Sequence, residues 1–317
     1  MYHAFGQTFF GILAVVRQVP IYILPKFEFL LFLDCIQKFR ITAIIGVPSV
    51  MVAIAKHPDV VKYDLSSVMQ LSCGAAPLSS DIARLAEGRV GRGGEKINLK
   101  QGWGMTEATC SVIGFHPTDR DETGSIGELY PNCEGMVVDS TDGATELPVG
   151  VKGEIWVRAP NVMRGYYKNP KATAETLTPD GWLKTGDIGY YNNKGKWFIV
   201  DRKKELIKVK GNQVAPAELE GMLLEHPGIT DAAVIGIRFA EDERPRAYVV
   251  VTPGAIVTAE DVKDWVKARA VKYKWITGGV VFEKDIPRNM SGKILKRVLR
   301  ERAETEVIDT LDHKSKL

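Results

Sequence analysis

Cysteine and histidine are scarce in this chain of 317 residues, at four and five respectively. Cys35, Cys73, Cys110 and Cys133 stand far apart, with no Cys-x-x-Cys pair and no histidine at metal-ligand spacing. That scatter argues against a disulfide framework or a zinc site and fits free thiols in a reducing compartment. Net charge is low as well: a formal +3 with no extended basic arm gives no footing for nucleic acid. A membrane span is missing too. In the longest apolar stretch, Phe9–Leu33, the residues Arg17, Gln18, Pro20, Pro25, Lys26 and Glu28 interrupt too often to cross a bilayer. The stretch reads as a buried helix followed by a buried strand, Ile21–Leu24. Internal repeats and low-complexity tracts do not occur.

What is present is ordinary globular material, 45% hydrophobic and 26% charged, long enough for one large or two domains. Over residues 1–120 strand-like runs alternate with helical patterns. Ile41–Val47 and Val68–Cys73 read as strands; Pro48–His57 and Leu78–Glu87 read as helices, the second capped by Ser79 or Ser80. Such alternation predicts parallel strands covered by helices, an α/β arrangement. Residues 121–200 change to short strands and turns, with a hairpin over Ile188–Val200 turning at Asn192-Asn193-Lys194-Gly195. Residues 201–317 read as a separate α+β unit. It holds a hairpin, a helix Pro216–Leu224, strands Asp231–Ile237 and Ala247–Val251, a helix Ala259–Lys272, a strand Gly279–Glu283 and a basic terminal helix.

The densest cluster of charge is Asp201–Gln213, which carries Arg202, Lys203, Lys204, Lys208 and Lys210, turns at Gly211 and runs into a helix start at Pro216. Fixed cations at that density suit a ligand bearing several phosphates; a solvated charged strand is the plainer alternative. Upstream, Gln101-Gly102-Trp103-Gly104-Met105-Thr106-Glu107 sets glycines, which admit close backbone approach, beside a flat aromatic face suited to a purine. A turn with a core tryptophan would look the same.

Taken with Tyr2-His3-Ala4-Phe5-Gly6, Ser72–Leu78, Gly181–Asp187 and Ser291-Gly292-Lys293, these blocks resemble the adenylate-forming superfamily of acyl-CoA synthetases, 4-coumarate-CoA ligases and beetle luciferases. The resemblance runs nearly end to end, and six ordered blocks are far more specific than any one. It implies a large adenylation domain over residues 1–200 followed by a small mobile C-terminal domain over residues 201–317. It further implies ATP, magnesium and CoA as co-substrates and a carboxylic acid of aromatic, fatty or polyketide type.

By this resemblance Gln101, Gly102, Trp103 and Thr106 receive ATP, and Glu107 helps hold magnesium. Asp187 takes the ribose hydroxyls and Arg202 the same nucleotide. Lys204 marks the domain hinge, Lys208 and Gln213 meet the acyl-adenylate, and Lys210 and Gly211 flank the CoA thiol tunnel. Lys26 meets CoA phosphates; His3, Phe5, Gly74 and Ala75 line the acyl pocket. Lys293 is the adenylation lysine, stabilising charge that grows on the α-phosphoryl oxygens, a role worth about 3–4 kcal/mol in comparable sites. The residues alone leave plainer alternatives: Asp187 as a turn former after glycine, Lys293 as the first charge of a basic helix, and His3 as a frayed terminus.

One part of the pattern is missing. The family's Ser/Thr/Gly-rich loop that cradles the β- and γ-phosphates should precede the histidine block, and the chain starts inside that block. Gly88–Gly94 is no substitute. The expectation is a shortened gene model or an impaired product, a poor catalyst of pyrophosphate release, with a sheet that exposes apolar surface. A luciferase-like oxygenase, a peptide-synthetase adenylation domain and a non-catalytic acyl- or nucleotide-binding remnant stay open. The terminal Ser315-Lys316-Leu317 matches the address read by the peroxisomal import receptor.

Overall fold

The computed structural model describes residues 3–91, 97–116, 118–239, 242–289 and 292–305. A π-helix, Gly6–Leu13, passes into a single turn, α1 (Ala14–Val16), and then α2 (Phe29–Phe39). Three parallel strands follow in the order β1 (Ala43–Gly46), β2 (Gln70–Gly74), β3 (Leu99–Gly102), with α3 (Pro48–Lys56) and α4 (Ser80–Glu87) between them. Pro48 opens α3 at a position whose N–H needs no partner. Ser79 caps α4 by accepting from Ile82 N. Leu33, Ile36, Ile54, Leu71, Ile82 and their neighbours form one buried core beneath these helices.

Next come the small pair β4 (Ile113–Gly114) and β5 (Glu128–Leu129), then an antiparallel sheet of β6 (Glu134–Val138), β7 (Gly153–Arg158), β8 (Leu183–Tyr191) and β9 (Trp197–Arg202). The helix α5 (Pro170–Thr176) lies between β7 and β8. Asn192 Oδ1 accepts from Lys194 N and Lys196 N and so closes the expected turn between β8 and β9. The strand β9 continues to Arg202, two residues past the expected boundary, because its ladder pairs Arg202 with Asp187.

The C-terminal unit begins with the hairpin β10 (Ile207–Val209) and β11 (Asn212–Val214), followed by α6 (Pro216–Glu225). The sheet of β12 (Ile229–Phe239), β13 (Asp242–Val251) and β14 (Val280–Phe282) is antiparallel between its first two strands and parallel between the last two. The helix α7 (Ala259–Lys267), started by a Thr258–Asp261 capping box, packs on this sheet, and α8 (Lys296–Ala303) closes the unit. It is shorter than the expected helix to Lys272: the chain leaves α7 at Ala268, and Ala270 O accepts from the Trp275 indole. Ion pairs Lys296–Glu220, Arg300–Glu205 and Arg302–Glu283 tie α8 down.

The apolar N-terminal segment departs from its expected form. Ile21–Leu24 makes no strand, and only Ala14 is buried along the helical part. Ile12, Val15, Val16, Val19, Ile23 and Phe27 are all exposed. Apolar composition alone cannot bury a residue, and no described element lies over this face. This exposed apolar surface lies on the N-terminal segment, outside the strands of the parallel sheet where such exposure was expected.

Candidate nucleotide site

The strand β3 delivers Trp103, and β8 and β9 deliver Asp187 and Arg202 as directly opposed residues. The Trp103 indole N–H donates to Asp187 Oδ2 at 2.7 Å, and Arg202 Nε lies 2.8 Å from Oδ1. Asp187 is 3% exposed. Burial pushes its carboxyl above the usual carboxylate range, while the Arg202 guanidinium and the indole donor oppose that rise. An ionised carboxylate has about four lone-pair sites, so these two partners leave capacity for further donors.

Local chain geometry makes this placement possible. Thr185 Oγ1 donates to Ile155 O and accepts from Asp187 N, which fixes the carboxylate's backbone. Gly186 between them has a positive φ of 70° and donates to Glu154 Oε1. After Trp103 the chain doubles back so tightly that a Cβ on Gly104 would lie 2.1 Å from Cys110 O. Thr109 and Cys110 both hold positive φ there, a strained turn of the kind that gathers at functional sites.

The other expected residues fall into two groups. Gathered at the site is Lys293, which feels Asp187 and Glu107 as well as Arg202; partial burial and the Arg202 charge lower its pKa, and the two carboxylates oppose that. Glu107 accepts from the Tyr166 hydroxyl at 2.7 Å, and burial, then this partner, raises the tyrosine's pKa. Thr106 is exposed on the same turn. Gly74 pairs with Gly102 across β2 and β3, and Ala75 follows with a φ of 75°. Phe5 stacks on Phe9, and the Thr8 side chain hydrogen-bonds Cys110, which sets this segment beside the Gly104–Cys110 turn.

Elsewhere lie Lys204, exposed on a short turn, and the hairpin with Lys208, Lys210, Gly211 and Gln213. Lys210 and Gly211, both at positive φ, form its two-residue turn. The described hydrogen bonds of its Lys208 and Lys210 amides run to Glu243 and Asp242. His3 and Lys26 are exposed, and no described hydrogen bond or ion pair joins either to Asp187. Gln101 serves as a brace: its amide accepts from Leu78 N and donates to Leu78 O and Gly124 O. Trp103 belongs to the buried core of the antiparallel sheet as well as to the site. Met290, Ser291 and the Ser315–Leu317 tripeptide lie outside the described residues.

Residues 1–167 match the family model for the AMP-binding enzyme, and residues 218–293 match that for the AMP-binding enzyme C-terminal domain. The chain belongs to the AMP-binding enzyme family. Among relatives of this family, it is 43% identical over 303 residues to "Probable 4-coumarate–CoA ligase 2" of Dictyostelium discoideum, covering 95% of this chain and 54% of that protein. It is 47% identical over 292 residues to "Acyl-CoA synthetase ACTT5" of Alternaria alternata, covering 90% and 50%. Among solved structures, ATP-bound MatB from Rhodopseudomonas palustris superposes with a TM-score of 0.81 at 30% identity, covering 95% of this chain and 58% of that one. The chain spans about half the length of the curated relatives it matches.

Tyr166 and Glu154 were absent from the expected site, and Lys203, counted only as one of the clustered cations, is paired with Glu154. Glu154 pairs with Lys203 at 2.9 Å while accepting from Gly186 N, linking the Asp187 turn to the segment beside Lys204. Isolated acids and tyrosines carry no periodic signal. Only the strand register that seats Glu154 behind Gly186 identifies it.

Proposed function

We propose that this protein acts as an ATP-dependent carboxylate–CoA ligase on an acid of aromatic, fatty or polyketide type. The observation that carries the reading is the buried Asp187 carboxylate, shared by Trp103 and Arg202, with Lys293 and Glu107 in electrostatic reach. In this reading Asp187 spends its remaining acceptor capacity on ribose hydroxyls, while Trp103 offers its ring to adenine. A substrate carboxylate oxygen bonds to the α-phosphorus as the bond to pyrophosphate breaks. Lys293 offsets the charge that grows there. Then CoA sulfur bonds to the acyl carbon and AMP leaves, with Lys208, Lys210, Gly211 and Gln213 presented by movement about Lys204.

Magnesium fits the arrangement. It is usually held by one or two carboxylates plus phosphate oxygens and water, and Glu107, which accepts from the Tyr166 hydroxyl and lies in electrostatic reach of Lys293, would supply one carboxylate. Among the described residues no group of three or more ligating side chains would cage it alone. When bound, the ion would neutralise charge on the pyrophosphate. We assign peroxisomal delivery to Ser315-Lys316-Leu317, and import of a fusion with and without that tripeptide checks it.

The ligase reading is tested by calorimetry with a non-hydrolysable acyl-AMP analogue and by ATP–pyrophosphate exchange across a panel of acids. Analogue binding that disappears in Asp187→Ala supports it. A chain that binds neither AMP nor the analogue contradicts it.

A further inference from the structure

The helix α3 meets the C-terminal unit at both of its ends. At its start, Val47 packs on Gly292, the residue before Lys293, where an added Cβ would lie 3.2 Å from a Val47 methyl. At its end, the Lys56 ammonium donates to His226 O at 2.8 Å and Ile229 O at 2.7 Å. His226 terminates α6, so its carbonyl is among those a helix end leaves without an intrahelical partner, and a cation there also meets the negative end of the helix dipole. Beside this contact Leu224 packs against the cores of both units. Ser79 hydrogen-bonds Glu225, and Gly221 lies against Ser79.

We propose that Lys56 is a positioning residue that latches the C-terminal unit in the pose setting Lys293 beside Asp187. Its two donors grip backbone oxygens, so it reads where the main chain lies rather than which side chains it bears. Turning the unit away would break both of these hydrogen bonds and uncover Leu224 at the same time. The catalytic purpose of the latch rests on the ligase reading; its existence does not.

The pose is read without any turnover by a disulfide reporter. A Cβ at position 221 would sit 3.5 Å from that of Ser79, within the range of about 3.5–4.5 Å that a disulfide spans. In a Ser79→Cys/Gly221→Cys chain, the rate of bridge formation under a mild oxidant is measured by mass spectrometry of the joined peptide. Adding Lys56→Met should slow bridging at least fivefold while circular dichroism shows an intact fold. Should that variant unfold, Lys56→Ala carries the same expectation. Bridging at the parental rate in a folded variant overturns the latch and leaves the ligase reading untouched. Failure to bind the acyl-AMP analogue does the reverse.

Discussion

Trp103 and Asp187, 84 positions apart, meet through a 2.7 Å hydrogen bond in a buried setting. The bond joins the parallel sheet's last strand to the antiparallel sheet, so a residue expected to serve the nucleotide also fastens two layers. Trp103→Phe keeps an aromatic face, smaller than the indole, and removes the donor, leaving a buried carboxylate one partner short. A hydrogen bond to a charged group is worth about 1.5–3 kcal/mol, and urea denaturation should show a loss of that order. Weaker acyl-AMP analogue binding should accompany it in calorimetry.

Lys293 separates chemistry from stability. It is accessible to solvent and sits in a loop, so Lys293→Met should change unfolding free energy by no more than about 0.5 kcal/mol. Whatever pyrophosphate exchange the chain supports should fall by about 10²–10³-fold. Equal exchange rates in the two proteins would remove Lys293 from the mechanism.

Leu219 is fully buried in the core of the C-terminal unit, among Leu223, Val234 and Val249. Leu219→Ala should cost about 2–5 kcal/mol, the usual range for a leucine cavity. Hydrogen exchange should place the loss in α6 and β12.

The exposed apolar face along residues 12–27 should bind a hydrophobic dye in the native state and drive self-association. Replacing Val16 and Ile23 with lysine should lower both the dye signal and the apparent mass in sedimentation. A double variant that associates as the parent does would locate the sticky surface elsewhere.

Asp64 supplies a pH test. Hydrogen bonds from Ser66, then the Arg40 guanidinium, hold its carboxyl down to about 2, from an ordinary 3.8. A depressed folded-state value means stability that is fully present above the ordinary value and lost as pH falls toward the folded one. Stability curves should therefore drop between pH 3.8 and about 2, and Asp64→Asn should flatten that part of the profile.

Legibility in the sequence followed the range of the forces. Pro48, Ser79 and Pro216 announce helix starts through local chemistry, and the structure begins α3, α4 and α6 at or beside each. Lys210-Gly211 and Asn192–Gly195 likewise mark their turns. Burial is set by distant partners, so Ile21–Leu24 looked like a core strand and is irregular and largely exposed. At the site, the meeting of Trp103, Asp187 and Arg202 was legible only through the family resemblance of the blocks that hold them; Asp187 alone reads as a turn former. The bracing role of Gln101 and the Glu154–Lys203 pair depend on strand register, which no short window encodes.

Glu243 and Asp242 clamp the main chain of Lys208 and Lys210 to the start of β13. Through these bonds the hairpin is tied to the sheet that follows it. On the ligase reading proposed above, a displacement that brings Gln213 toward an acyl group would carry the sheet as freight, and its arrival time would be that of a domain and not of a loop.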